Sequence, residues 1–354
     1  MSTMFVPGPV DVDEEVLSAQ SQQMVPHRSR EFEDLYRQTR AKAQPLFATQ
    51  ATIFIVTSSG TGLQEAAVRN LAKRDVLSCV NGAFSQRWYE VAATNAKQAD
   101  RLEADWGQPI LPEMVADALS KKEYELITLV HNETSTGVQN PVQEIAAVVT
   151  EVSPETLISV DAVSSLAGVK IEMDAWGLDM VLTSSQKCLA LPPGLALAAV
   201  SDRALAYAKN VPARGWYFDL VRLEKHLNKD STPATPAMSL IYALERQLDR
   251  IQDEGLENRF ARHSTMAQLV QDWVPANGFE VFARDGYRSN TVTAVKNTLG
   301  LDFDSLDAFL ISRGMRIANG YGQLRGQTFR IAHMGETQMT DLKKLLAAIE
   351  EFVA

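Results

Sequence analysis

The alternation of short β-rich runs with helix-length segments between residues 52 and 201 constrains the fold more than any other feature of the chain. Segments with apolar residues at helical spacing, such as GLQEAAVRNLAK, separate most of the runs. This pattern predicts an α/β domain whose mostly parallel sheet is covered by helices on both faces, with ligands at the carboxyl ends of the strands. The runs are TIFIVTS (52–58), DVLSCVNG (75–82), LITLVHNE (126–133), TLISVDAV (156–163), DMVLTSS (179–185) and LALAAVS (195–201).

The C-terminal part of the sequence predicts a second, smaller α+β domain. A proline-rich stretch at 231–239 opens a long helical region that can carry the chain into it. We therefore expect an N-terminal arm over residues 1–16, a large domain over 17–250 and a small domain over 251–354. The predicted elements of the small domain are strands at 278–284, 289–295 and 328–335, and helices at 305–314 and 340–353.

Charge and composition narrow the class of protein. The 354 residues include 34 Lys and Arg against 44 Asp and Glu, a formal net charge of −10 that disfavours nucleic acid and acidic membrane surfaces. The longest apolar runs are far short of the roughly 20 residues that span a bilayer, and the N-terminus has no secretory pattern, so we expect a cytoplasmic protein. Cys79 and Cys188 form no metal or disulfide pattern; we expect buried thiols, with a nucleophilic Cys188 as the alternative.

A lysine and an acid occupy the ends of consecutive predicted strands. Lys187 lies in MVLTSSQKCLALPPG (180–194), between two segments that both predict core, although lysine is among the side chains least often buried. Asp161 ends the preceding strand, so the topology predicts that both face one crevice. A desolvated lysine can attack a carbonyl as a neutral amine, and a buried carboxylate needs a cation or hydrogen-bond donors. The ordinary alternatives are a surface lysine and a helix cap.

Two further strand ends complete a possible ligand site. VTSSGTGLQEAAV (56–68) predicts a strand, a glycine-containing turn and a helix, and the free N–H groups at such a helix start suit a phosphate. HNETSTG (131–137) offers hydroxyl groups; ordinary turns are the alternative for both. Pyridoxal phosphate (PLP) has three matching groups, which are a phosphate for residues 59–61, a ring nitrogen for Asp161 and an aldehyde for Lys187.

The motifs HNETSTG, VDAVSS, SSQK and PPG, in this order and spacing, resemble the class V aminotransferases of the fold-type I PLP enzymes. The branch in question contains alanine:glyoxylate and serine:pyruvate aminotransferases and archaeal-type aspartate and phosphoserine aminotransferases. The resemblance covers essentially the whole chain. It implies a large domain with a seven-stranded, mostly parallel sheet and a smaller C-terminal α+β domain.

The resemblance also implies the roles of individual residues. Lys187 would form a Schiff base with PLP, and Asp161 would hold the proton of the pyridinium nitrogen. A neighbouring subunit of a homodimer would complete the phosphate site with Thr235 and Thr232, although Thr232 replaces a tyrosine of the alanine:glyoxylate enzymes. The other implied cofactor contacts are the ring faces for Phe84 and Val163, the ring oxygen for Thr134 and Gln186, and the phosphate for Ser59, Gly60 and Thr61.

Substrate contacts follow from the same resemblance. Arg330 in FRIAHMG would receive the α-carboxylate, a bidentate task that suits a planar guanidinium. His27 and Arg28 in PHRSREF resemble a pair that contacts the distal acidic group in phosphoserine aminotransferases, and VPGP (6–9) resembles an arm that lines the active site.

The expected activity is transfer of an amino group from serine, alanine, aspartate or phosphoserine to a 2-oxo acid such as glyoxylate, pyruvate or 2-oxoglutarate, without a metal ion. Three alternatives stay open at this point. One is a phosphoserine:2-oxoglutarate aminotransferase specifically, and another is a non-catalytic member that serves as a subunit of another complex. A cysteine desulfurase is the third, but Gln186 precedes the lysine where histidine is usual, and no cysteine follows Cys188.

Overall fold

The computed structural model describes residues 2–354 and contains one seven-stranded sheet. The strand order across this sheet is β1-β7-β6-β5-β4-β2-β3. Neighbouring strands are parallel except at β7, which runs antiparallel to both β1 and β6. The sequence prediction of a mostly parallel α/β sheet is therefore confirmed. The strands are β1 (Thr52–Thr57), β2 (Asp75–Val80), β3 (Gln98–Glu103), β4 (Leu126–Val130), β5 (Leu157–Asp161), β6 (Met180–Ser184) and β7 (Leu195–Val200).

Helices flank the sheet and connect its strands. The predicted helical region after the proline-rich stretch is divided into two helices, α9 (Met238–Glu254) and α10 (Leu256–Ala276), which meet at Gly255. None of the helices within residues 2–354 is long and apolar enough to cross a membrane. The helices are α1 (Glu14–Ala19), α2 (Arg30–Ala43), α3 (Gly60–Leu71), α4 (Ala83–Thr94), α5 (Pro112–Lys121), α6 (Val142–Val152), α7 (Asp202–Ala208), α8 (Leu220–Leu227), α9 (Met238–Glu254), α10 (Leu256–Ala276), α11 (Phe303–Ser312) and α12 (Met339–Val353).

Strand β3 is the one strand of the large sheet that the sequence analysis missed. Its sequence, QADRLE, is polar, and its side chains are exposed or half-buried. It lies at the edge of the sheet and, among the described strands, pairs with β2 alone. An edge strand with a solvated face does not need the apolar run that a central strand requires, so the pattern that revealed the other strands is absent here.

The C-terminal region has its own four-stranded sheet and its own core. The strands are β8 (Glu280–Val281), β9 (Val292–Lys296), β10 (Ala318–Asn319) and β11 (Thr328–Ala332), in the antiparallel order β8-β9-β11-β10. The predicted strand at 278–284 is thus reduced to two residues. A separate cluster of buried apolar side chains packs this sheet against α10, α11 and α12.

The N-terminal segment joins the two regions. Residues Thr3–Met4 pair in parallel with Met315–Arg316, and Phe5 is buried in the C-terminal core. Val10 packs instead against Cys188 and Met334, beside the end of the large sheet. This path brings residues 7–9 over the carboxyl ends of the central strands.

Candidate active site

A cavity of about 360 Å³ opens at the carboxyl ends of β4, β5 and β6. The last residue of each strand, Val130, Asp161 and Ser184, lines it. The structure therefore brings together the strand ends that the sequence analysis singled out. The predicted site residues that line this cavity are Ser59, Gly60, Thr61, Phe84, Thr134, Asp161, Val163, Gln186 and Lys187.

Asp161 is a buried carboxylate held in one orientation by two hydrogen bonds. The Gln64 side-chain amide donates to its Oδ2 at 2.7 Å, and the Val163 backbone N–H donates to its Oδ1 at 2.8 Å. Burial raises the pKa of Asp161 to about 6, although these two bonds act in the opposite direction. The carboxyl is thus mostly ionised at neutral pH, and its oxygens can accept a further hydrogen bond from a group in the cavity.

Lys187 follows β6 and is 8% exposed. Its ammonium group donates to the carbonyl oxygen of Pro7 in the N-terminal segment, and Nζ lies 5.7 Å from the centre of the Phe84 ring. Burial, and after it the positive charge of Arg330, lower the pKa of Lys187 to about 8. A substantial fraction of this amine is therefore neutral near physiological pH, unlike that of a surface lysine.

Gly8 permits the close approach of the N-terminal segment to Lys187. Its φ of +100° lies in the region that favours glycine, and a Cβ there would be 2.6 Å from Cδ of Lys187. The sequence VPGP was predicted to line the active site, and both Gly8 and Pro9 line the cavity.

The N-terminus of α3 faces the same cavity. Ser59 is the N-cap residue, and its hydroxyl makes no capping bond to the helix. The first N–H groups of a helix have no partner within the helix, and the helix dipole favours an anion near them. Gly60 also brings this turn close to β5, since a Cβ at that position would lie 2.5 Å from Cγ2 of Val163.

Glu133 positions Phe84 on the other side of the cavity. The Glu133 carboxylate is fully buried and accepts the backbone N–H groups of Phe84 and Ser85 at the start of α4, at 3.2 and 2.9 Å. It also accepts the Ser135 hydroxyl at 2.6 Å. The carboxylate thus caps α4 and links it to the HNETSTG motif. The sequence analysis quoted this motif but assigned no role to its acid.

Thr134 and Gln186 reach the cavity from neighbouring loops. The Thr134 side chain is buried and shares a hydrogen bond with the Ser164 hydroxyl. Gln186 is half-buried, and its backbone carbonyl oxygen accepts the N–H of Val10 at 3.2 Å. Both residues line the cavity, so a ligand there can contact their side chains.

Arg330 on β11 lies beside the cavity and has no acidic partner among the residues that the structure describes. Its Nε donates to the Asn319 carbonyl oxygen at 3.1 Å, and one terminal nitrogen donates to that of Thr134 at 3.4 Å. Its Cζ lies 5.5 Å from the centre of the Tyr321 ring. Burial lowers the pKa of Arg330 to about 10. Within residues 2–354 it forms no ion pair, so a buried positive charge is left for an anionic ligand.

Apart from Arg330, which lies beside the cavity, four predicted residues do not line it within one chain. Thr232 and Thr235 line a separate cavity of about 30 Å³ beside β1, and the Thr232 hydroxyl donates to the Ala234 carbonyl oxygen. His27 is half-buried, and the exposed Arg28 donates to the Ser231 hydroxyl at 3.1 Å. The two pairs are therefore close to each other, and none of the four residues lines the cavity that contains Lys187.

Sequence reasoning missed several residues that complete the cavity. Gln64 orients Asp161, and its place one turn after Gly60 on α3, at a buried position of an amphipathic helix, was an available signal. Arg87 and Tyr321 also line the cavity, without a motif that would have marked them. Three lining polar atoms are buried without a hydrogen-bond partner among the described residues; they are Gln64 Oε1, Asn132 Oδ1 and Ser184 Oγ.

Comparison with known proteins identifies a family. The family model for aminotransferase class-V matches residues 12–330 of this chain. An uncharacterized aminotransferase of Methanocaldococcus jannaschii is 37% identical over 98% of this chain and 91% of its own length. A soluble hydrogenase small subunit of Synechococcus sp. is 35% identical over 99% and 92%. The solved aspartate aminotransferase of subgroup IV from Thermus thermophilus superposes with a TM-score of 0.92 at 31% identity, covering 99% of this chain and 98% of that one.

Proposed function

Since the chain belongs to the class V aminotransferase family, and is thus a PLP-dependent transaminase that moves an amino group from an amino acid to a 2-oxo acid, we propose that the cavity around Lys187 is its active site. One observation carries this assignment. Lys187, Asp161 and the N-terminus of α3 line a single cavity, and they offer an amine, an acid and an anion site.

The residues of this cavity fit PLP. The unpartnered atoms of Gln64, Asn132 and Ser184 are polar groups that a polar ligand can satisfy. The Ser59 side chain makes no capping bond at the N-terminus of α3, and a free helix N-terminus suits a phosphate. We propose that the residues holding the cofactor are Ser59, Gly60, Thr61, Phe84, Thr134, Asp161, Val163, Gln186 and Lys187, with Lys187 forming the Schiff base. When bound, PLP would supply an electron sink for the charge that develops at the substrate α-carbon.

Asp161 holds a proton at the ring nitrogen. Gln64 and Val163 fix the carboxylate by a hydrogen bond to each oxygen, so that its free lone pairs face the cavity. The negative charge of a carboxylate next to the ring nitrogen favours the protonated, cationic form of the ring. The cationic ring in turn offsets the cost of burying the Asp161 carboxylate. Replacing Asp161 should therefore affect catalysis more than cofactor retention.

Lys187 moves the proton of the substrate. An amine with a pKa of about 8 is close to the optimum for proton transfer at neutral pH, because both of its protonation states are populated. The free amine can accept the proton from the substrate α-carbon and then, as an acid, donate it to the cofactor. Residues 7–9 of the N-terminal segment cover this amine and limit the access of water.

Arg330 receives the α-carboxylate of the substrate. Its guanidinium is buried beside Thr134 and Tyr321, and it has no acidic partner within residues 2–354. A planar guanidinium can bind a carboxylate through two parallel hydrogen bonds, which fixes the orientation of the amino acid in the cavity. The same contact would serve the 2-oxo acid, which carries the equivalent carboxylate.

We further propose a cytoplasmic homodimer with active sites at the subunit interface. The phosphate site would be completed by Thr235 and Thr232 of a second copy, which explains why neither lines the cavity of its own chain. His27 and Arg28 lie next to that segment, since Arg28 contacts Ser231. The proposed division of each subunit is an arm over 1–16, a large domain over 17–250 and a small domain over 251–354.

A non-catalytic role as a subunit of another complex is the second candidate, favoured by the name of the Synechococcus relative. The two candidates differ in cofactor content. A catalytic protein purifies with a PLP absorbance band or gains one on addition of PLP. A colourless protein that PLP leaves unchanged would support the subunit role.

Replacement of Lys187 tests the proposed active site. Lys187→Ala should abolish transamination from alanine or aspartate to glyoxylate, since the amine that moves the proton is gone. The matched control is Lys209→Ala, which removes an exposed lysine that pairs with Glu224 and does not line the cavity, and which should leave the rates unchanged. A Lys187→Ala protein with wild-type rates would refute the assignment.

A further inference from the structure

An arginine other than Arg330 lines the active-site cavity itself. Arg87 lies on α4, one turn after Phe84, so that both side chains project from the same face of the helix. Its Cζ lies 5.0 Å from the centre of the Phe84 ring, the ring that also faces the Lys187 amine at 5.7 Å. Arg87 is therefore at the wall of the cavity near the reacting amine.

The charge of Arg87 has no acidic partner within residues 2–354. Its hydrogen bond to a side chain runs from a terminal nitrogen to the Tyr321 hydroxyl at 3.1 Å. Arg69 and Arg101, on the neighbouring α3 and β3, pair with Glu65 and Glu103, each at 3.0 Å. The charge of Arg87 also contributes to lowering the pKa of Lys187, after burial and Arg330. The positive charge of Arg87 is thus not neutralised by an acid among the described residues, and it acts on the Lys187 amine inside the cavity.

Tyr321 contacts the guanidinium groups of both Arg87 and Arg330. Its hydroxyl accepts from Arg87, and its ring lies 5.5 Å from Cζ of Arg330. The same ring stacks on Phe84, with the centres 5.2 Å apart. Both guanidinium groups therefore contact the same tyrosine. Two guanidinium groups without carboxylates match a ligand that carries two anionic groups.

This inference rests on the proposed function and names the class of its substrate. We propose that Arg87, supported by the Tyr321 hydroxyl, binds the distal anion of an acidic amino acid or oxo acid, and so selects substrates with a second carboxylate or a phosphate monoester. The distal anion contact thus comes from within the chain, whereas His27 and Arg28 do not line this cavity.

Steady-state kinetics with three amino donors test the selection. Aspartate, phosphoserine and alanine are compared with glyoxylate as the common acceptor. We expect the ratio of kcat/KM for the acidic donor to that for alanine to fall at least tenfold in Arg87→Gln, mainly through KM, because alanine makes no distal contact. Arg87→Lys should recover part of the ratio. Whether aspartate or phosphoserine loses more identifies the anion as carboxylate or phosphate.

Arg101→Gln is the matched control for these measurements. Arg101 also stacks on an aromatic ring, that of Tyr89 at 4.9 Å, but it does not line the cavity. Its substitution should leave the donor ratio unchanged. A ratio in Arg87→Gln equal to that of the wild type, or a wild-type enzyme that prefers alanine to both acidic donors, would overturn the inference.

Calorimetry separates failure of the inference from failure of the proposed function. Maleate and acetate are titrated into the wild-type protein and into Arg87→Gln, both as purified. We expect the Kd of maleate to rise at least tenfold in the variant, with that of acetate unchanged. A protein that transaminates no donor but shows this change would refute the function and retain the anion site. An unchanged maleate Kd would refute the site even in an active enzyme.

Discussion

Gly60→Ala should destabilise the protein through one contact, with the side chain of Val163. A Cβ at position 60 would lie 2.5 Å from Cγ2 of Val163, whereas the next nearest atoms, Cβ and Oγ of Ser184, are at 3.7 Å. The cost is therefore steric and confined to one methyl group. Overpacking of this kind typically costs about 1–3 kcal/mol, so we expect the free energy of unfolding to fall by about 2 kcal/mol.

A double-mutant cycle with Val163→Ala isolates this contact. The Val163→Ala change removes the methyl group, so Gly60→Ala in that background should be neutral or should stabilise α3 by up to about 1 kcal/mol, since alanine is the better helix former. The assay is urea unfolding of the wild type, both single variants and the double variant, without added cofactor. The coupling energy should exceed about 1 kcal/mol. Effects that add within about 0.5 kcal/mol would refute the reasoning.

The two buried ionisable groups give further predictions. Because burial raises the pKa of Asp161 from 3.8 to about 6, the stability of the cofactor-free wild type should fall as the pH rises through this window, by roughly 3 kcal/mol. Asp161→Asn should lack that fall in urea unfolding measured against pH; a fall of equal size in the variant would contradict the prediction. Because burial and Arg330 lower the pKa of Lys187, acetic anhydride should modify it with a midpoint near pH 8 in the cofactor-free protein, and Arg330→Gln should raise that midpoint. An unmoved midpoint, read by peptide mapping, would exclude the influence of Arg330.

The sequence predicted the site residues best where an unusual residue type directly follows, or ends, a buried strand. Asp161 and Lys187 could be found because an ionisable residue next to an apolar run is unusual, and the parallel topology implied that they meet. Gly60 could be found because the turn between strand and helix needs a residue without a side chain. All three line one cavity.

Other features left no such pattern. Strand β3 carries polar residues because it is an exposed edge, and periodicity cannot distinguish it from a loop. Arg87 and Tyr321 meet only when α4 and the loop after β10 face each other, a contact between distant parts of the chain. A sequence pattern describes neighbours along one element, so contacts of this kind require the folded structure.

Two ionisable groups of the proposed active site destabilise the folded chain. Burial disfavours the charged forms of both Asp161 and Lys187, which shifts the pKa of the acid upwards and that of the amine downwards. Groups whose burial destabilises a protein are retained where a bound ligand offsets the cost of burying them. The same reason explains the three polar atoms of the cavity that have no hydrogen-bond partner among the described residues. A bound cofactor should therefore stabilise this region more than any other part of the chain.

The central claim is that the Lys187 amine holds the aldehyde of PLP. Reduction of the purified PLP-loaded protein with borohydride, followed by digestion and peptide mapping, tests it directly. We expect a pyridoxyl label on the peptide that contains Lys187, and no label in Lys187→Ala. A label on a different lysine, or no label in the wild type, would contradict it.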